Sequence, residues 1–154
     1  MVNIIECDFA NPLHRKALVK LMNHYMEDAM GQHPTMNKEE GEKMVCGLEK
    51  HPSKLILLAE YHGEYIGLAN SFINFGTFAV KPFVNIHDIV VLDKYRGIGA
   101  GKKLMEAIIE YAQKNDCGKV TLEVREDNTV AQKMYKSLGF DECKPVMHFW
   151  AKYL

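Results

Sequence analysis

The chain has 154 residues, 47% of them apolar and 25% charged, with a formal net charge of −1. That is the composition of one ordinary soluble domain, residues 1–154, long enough to bury a core without staples. The near-neutral balance gives no reason to expect nucleic acid or a membrane surface as partner, and no apolar run is long enough for a transmembrane helix. The N-terminal MVNIIECDFA lacks the basic-then-apolar pattern of a signal peptide. Cys7, Cys46, Cys117 and Cys143 are scattered, with no C-x-x-C pair, and read as reduced thiols of a cytoplasmic protein.

VNIIECDF predicts a first strand. Asn11 then offers a cap and Pro12 suits the first helical position. Leu18, Leu21, Met22, Tyr25 and Ala29 recur at helical spacing, so a helix is expected to about Met30. Asn37 with Glu40 three residues on has the form of a capping box and opens a second helix to about Lys50. KLILLAEYHGEYIGLANSFINF reads as a hairpin turning at His62-Gly63. FVNIHDIVVL is a further strand whose near-continuous apolar end suits mid-sheet. A glycine-rich loop follows, then a long helix ending near Asp116-Cys117-Gly118, and KVTLEVR as a short strand. Asn128 caps a last helix that Gly139 stops. From Phe140 to Leu154, Met147, Phe149, Ala151 and Tyr153 alternate with polar neighbours and Trp150, which predicts one or two closing strands. The order is that of an α/β layered fold.

The loop YRGIGAGKK is the first feature that carries chemistry. Gly97, Gly99 and Gly101 alternate directly before a helix, where each costs roughly 0.5–1 kcal/mol relative to alanine. Small residues let backbone N–H groups approach a ligand. A helix start adds unpaired donors and a partial positive charge. Together they suit a phosphate or pyrophosphate, and Arg96, Lys102 and Lys103 place charge nearby. The spacing fits neither a Walker A loop, which also needs a hydroxyl after its lysine, nor the G-x-G-x-x-G dinucleotide fingerprint.

Arg96-Gly97-Ile98-Gly99-Ala100-Gly101 fits Arg/Gln-x-x-Gly-x-Gly/Ala and resembles the acyl-CoA pyrophosphate loop of the GNAT superfamily of N-acetyltransferases. NTVAQKMYKSLGF, Asn128 to Phe140, is similar to a second motif of that family, Asn-x-x-Ala-x-x-x-Tyr followed by Gly-Phe. IHDIVVLDKYRG and LLAEYHGEYIGLA resemble its loop-leading strand and its hairpin. The resemblance spans roughly Leu55 to Phe140. It implies a mixed, mostly antiparallel sheet of six to seven strands flanked by about four helices. It also implies acetyl-CoA as co-substrate, no metal, and acyl transfer to an amine.

The resemblance assigns roles by position. Backbone groups of Ile89, Val90 and Val91 would pair with the pantetheine arm. The donors of Gly97, Ile98, Gly99, Ala100, Gly101 and Lys102, beside Arg96, would hold the pyrophosphate. Asn128 would meet the pantetheine or acetyl region, a role compatible with capping its helix. Tyr135, two turns on, would protonate the departing thiolate, which suits a phenol of pKa roughly 10. Glu123 in LEVRED matches a glutamate of ribosomal-protein alanine acetyltransferases and is the first candidate base. His87 and Asp88 are alternatives, as is an amine that arrives neutral.

Other constellations carry less. His24 and Asp28 lack a third metal ligand, and Cys143 has no partner for nucleophilic work. Glu27, Asp28, Glu39, Glu40 and Glu42 make the first two helices acidic, either as a solvated face or as a rim attractive to a cation. Trp150 and Lys152 could line the cleft or a homodimer contact. Three functions remain open: an acetyltransferase acting on a small-molecule amine, one acting on a protein N-terminus or lysine, and a non-catalytic acyl-CoA-binding module.

Overall fold

Two helix starts follow directly from their caps. Asn11 Oδ1 accepts from the Leu13 N–H and Pro12 fills the first helical position, opening α1, Pro12–Glu27. Asn37 Oδ1 accepts from the Glu40 N–H at 3.0 Å while the Glu40 carboxylate accepts from the Asn37 N–H at 2.8 Å. This reciprocal box opens α2, Lys38–Lys50. A short strand, β1, Asn3–Glu6, precedes them. The hairpin is β2, Lys54–Tyr61, and β3, Glu64–Gly76. Its turn puts both His62 and Gly63 at positive φ, the signature of a tight turn that matches strand twist. Then come β4, Lys81–Val91, a single 3₁₀ turn Asp93–Tyr95, α3, Ala100–Lys114, β5, Val120–Leu122, and α4, Thr129–Ser137.

The computed structural model describes residues 1–154. They fall into two compact units, Met1–Glu123 and Val124–Leu154. In the first, the strands lie in the order β1-β2-β3-β4-β5; β1 to β4 are antiparallel and β5 runs parallel to β4. Strand alternation gives this sheet two apolar faces. Ile56, Leu58, Leu68, Val90 and Leu92 pack under Leu18 and Leu21 of α1 and Val45 of α2. On α3, Leu104, Met105 and Ile108 are buried. Gly67 of β3 sits under α3 with no room for a side chain: a Cβ there would lie 3.3 Å from Leu104 Cδ1 and 3.0 Å from the Val90 carbonyl oxygen.

In the second unit Asn128 caps α4, accepting from the Ala131 N–H. Gly139, at φ 87°, ends it. There the Phe140 N–H donates to the Tyr135 carbonyl and the Gly139 N–H to that of Lys136, which satisfies the last carbonyls of the helix.

The mixed, mostly antiparallel α/β sheet and the four helices agree with expectation, but the sheet has five strands rather than six or seven. The closing strands expected over residues 140–154 are not formed. Met147, Phe149, Trp150 and Tyr153 are exposed there. Alternation decides which way side chains face once a neighbouring strand supplies hydrogen bonds; it does not supply the neighbour.

Candidate active site

Residues 93–102 form the turn that joins β4 to α3. Gly97 and Gly99 lie at φ 87° and 86°, a region that costs other residues about 1–2 kcal/mol. A Cβ at either would meet nothing within 4 Å. The glycines are therefore required by the backbone path and not by crowding within the protein. Gly99 is the N-cap of α3 and has no side chain to offer. The backbone N–H groups from Gly97 to Lys102 find no backbone acceptor; the first donor satisfied is Lys103, on the Gly99 carbonyl at 3.0 Å. A run of free donors at a helix start is a cradle for an anion, and the residues fit a pyrophosphate in this respect.

The nearby cations are committed elsewhere. Arg96 Nη2 donates to Asp28 at 2.6 Å and forms an ion pair with Asp93 at 2.8 Å, and its Nε donates to the Val91 carbonyl at 3.4 Å. Lys103 Nζ donates to the Val2 carbonyl at 2.9 Å. Lys102 lies 3.7 Å from Glu106. The anion-binding capacity of the turn thus rests on backbone donors more than on side-chain charge.

β4 supplies a second open surface. It pairs with β5 only at Val84, Asn85 and Ile86. Beyond Ile86 no strand pairs with its second edge, while β3 covers the first as far as Val91. The register with β3 jumps from Asn70–Asp88 to Ser71–Ile86, so His87 is the extra residue of a bulge. Ile89, Val90 and Val91 therefore carry an edge to which an extended ligand could add as a strand.

The bulge places Asp88 beside Asn70. Asn70 is 3% exposed. Its Nδ2 donates to Asp88 Oδ2 at 3.1 Å and approaches Met22 Sδ at 3.3 Å, while its Oδ1 is buried with no partner. Asp88 fixes the amide orientation, because the flipped rotamer would face oxygen to carboxylate. Sequence reasoning missed Asn70; its signal was a single amide inside the apolar run YIGLANSF. Glu123 lies just past β5, exposed, with Asn85 Nδ2 at 3.4 Å. His87 is exposed, its ring 5.9 Å from that of Phe72. Tyr135 is a buried residue of α4, seven positions after the capping Asn128 and therefore on the same helix side.

Electrostatics around the turn is organised by two carboxylates. Asp28 is held below the usual carboxylate range, first by Arg96 and then by the Met30 N–H. Glu64 accepts from the Tyr95 hydroxyl at 2.6 Å and pairs with Lys20 and Lys94; the Tyr95 bond first, then the two lysines, hold its carboxyl down at about 2. The acidic helices are likewise internally paired: Arg15 reaches Glu42 and Glu49, Lys43 meets Glu39, and Glu40 is spent in its capping box. A groove of about 590 Å³ between β1 and α3 includes none of the residues of the turn or of the open edge.

Comparison with known proteins bears on the family and the fold. Residues 18–140 match the model of the acetyltransferase (GNAT) family. An uncharacterized N-acetyltransferase of Bacillus subtilis is 32% identical over 102 residues, covering 66% of this chain and 68% of the relative. An N-alpha-acetyltransferase of Sulfurisphaera tokodaii is 33% identical over 101 residues, 61% of this chain and 60% of the relative. Among solved structures, AAC(6′)-Iy in complex with the bisubstrate analogue CoA-S-monomethyl-acetylneamine superposes with a TM-score of 0.77 at 19% identity, covering 99% of both chains. With motif, fold and sequence in accord, the chain belongs to the GNAT family of acyl-CoA-dependent N-acetyltransferases.

Proposed function

We propose that residues 1–154 work as one domain that transfers an acetyl group from acetyl-CoA to the primary amine of a small molecule. The observation that carries the donor half is the turn 97–102, whose N–H groups lack acceptors directly after a strand with an open edge. In this reading the backbone of Gly97, Ile98, Gly99, Ala100, Gly101 and Lys102 holds the pyrophosphate. Arg96 shapes the turn, and Ile89, Val90 and Val91 pair with the pantetheine arm. Asn128 borders the acyl end. Tyr135 gives its phenolic proton to the departing thiolate as the amine attacks the thioester carbonyl directly. Glu123 takes the ammonium proton through a water.

Asp88 is the second reading for the base. Its support is its place on the strand beside the open edge, at the His87 bulge, where the Asn70 amide donates to its Oδ2 and holds it in position. The small-molecule acceptor is favoured by the likeness to a fold that is known with an acetylated neamine analogue; the likeness to an N-alpha-acetyltransferase supports a peptide acceptor as the alternative. We place the activity in the cytoplasm, with no metal, and with a homodimer as a further part of the proposal.

Calorimetric titration with CoA tests the donor half. Gly101 sits in the first turn of α3 with ordinary helical backbone, so Gly101→Glu adds a negative charge to the cradle without straining it. Wild type should bind and Gly101→Glu should not, with its thermal melt retained. Equal affinities would overturn the pyrophosphate assignment.

A further inference from the structure

Asp28 stands at the wrong end of a helix. It is the C-cap of α1, where the helix dipole favours cations and penalises a carboxylate. Yet its side chain is only 13% exposed and it carries two strong bonds: Arg96 Nη2 at 2.6 Å and the Met30 N–H at 2.8 Å. Its carbonyl accepts from the N–H groups of Gly31 and Gln32. One residue thus organises the start of the connector between α1 and α2. The far end of that connector is tied to α1 as well, because Asn23 bonds both the N–H and the carbonyl of Met36.

The partner of Asp28 is the last residue before the glycines. With Gly97 and Gly99 both in the left-handed region, the turn has little of its own to fix its direction. Everything up to residue 96 is clamped instead. Glu64 holds Tyr95 and Lys94, and Asp28 and Asp93 hold Arg96. His24, one turn before Asp28, brings Nε2 to 3.3 Å from Asp93, off the line of a hydrogen bond. Asp93 is bound to the turn through Arg96 at three residues' distance, so it anchors the turn only to itself. Asp28 crosses 68 residues of sequence and ties it to a different element.

We infer that Asp28 is a positioning residue for the acyl-CoA turn: paired with Arg96, it sets the turn's direction and makes the ordering of connector 28–37 depend on occupancy of the turn. The inference rests on the acetyl-CoA reading above. Its physical content is a coupling between two places, and coupling is reciprocal. An anion on the turn's N–H groups restrains residues 97–102. Arg96 passes that restraint to Asp28, and the bonds from Met30, Gly31 and Gln32 become harder to open.

The test uses the full chain and CoA as the probe, with calorimetry and amide hydrogen exchange together. Asp28→Asn keeps the size and an acceptor for Met30 but loses the charge; Arg96→Gln removes the partner at an exposed position; Asp28→Glu restores the charge. CoA affinity should fall on the order of tenfold in Asp28→Asn and in Arg96→Gln, within the usual range of coupling between sites. The double variant should be no weaker than the weaker single one, and Asp28→Glu should recover part of the loss. CoA should slow exchange at Met30, Gly31 and Gln32 in wild type and leave it unchanged in Asp28→Asn and Arg96→Gln. A merely structural role would lower the melting temperature and leave affinity and exchange linkage as in wild type, which would overturn the inference. Wild type that binds CoA without any change at residues 30–32 would overturn it too, while leaving the acetyl-CoA reading intact. Wild type that does not bind CoA overturns both.

Discussion

At the scale of single residues, proton traffic and the carboxylate network around Glu64 each make a testable expectation. Tyr135→Phe removes the phenolic proton and little volume. Its kcat should drop on the order of 10²-fold, the range for a lost general acid, with CoA affinity little changed. An unchanged kcat with chemistry rate-limiting would make Tyr135 a packing residue of α4. For the base, two acceptors of different amine pKa, each measured with wild type and Glu123→Gln, separate the cases. If Glu123 relays the proton, the low-pH limb of kcat/KM moves or flattens in the variant. If the limb follows the substrate in both proteins, Glu123 is not the base and Asp88→Asn becomes the decisive variant. Glu64 makes a different prediction. Its carboxyl sits at about 2 against an ordinary 4.5, held first by the Tyr95 hydroxyl, then by Lys20 and Lys94. A depressed carboxylate contributes stability that is fully present above pH 4.5 and is lost as pH falls from 4.5 toward 2. The acid limb of melting temperature against pH should therefore be shallower in Glu64→Gln. An identical limb would show that the carboxylate adds nothing to the folded state.

At the scale of elements, Gly67 limits how closely α3 can lie against the sheet. A Cβ there meets the Val90 carbonyl at 3.0 Å and both Ala59 and Leu104 at 3.3 Å. Gly67→Val should destabilise by about 1–3 kcal/mol, the cost of overpacking, in a denaturant melt. Wild-type stability would mean that α3 shifts freely. The elements themselves were legible where their signals are local. The Asn11-Pro12 start, the Asn37–Glu40 box, the His62-Gly63 turn and the Gly139 stop each state their function within four residues, and each is formed. Features that depend on pairing between distant segments were not legible. The bulge at His87 exists only in the register of β4 against β3, and the open edge of β4 only because β5 stops opposite Ile86. Arg96 read as a charge for the ligand, whereas its carboxylate partner lies 68 residues away on α1. The segment 140–154 had the alternation of a strand, and no pairing with another strand is formed there.

At the scale of the whole molecule, the proposal rests the donor half of the reaction on the turn and the open strand edge. The proposal assigns the acceptor half to groups on different elements, Glu123 beyond β5 and, as the second reading, Asp88 on β4. Fold alone assigns no acceptor. The most direct measurement is release of free CoA thiol from acetyl-CoA by the full chain, run against amines, polyamines, aminoglycosides, amino acids and peptides. The account predicts acceptor-dependent release with at least one small-molecule amine, and loss of that release in Tyr135→Phe and Gly101→Glu. Release with peptides alone would move the acceptor to proteins. CoA binding with no release from any amine or peptide would contradict the catalytic claim and leave an acyl-CoA-binding module.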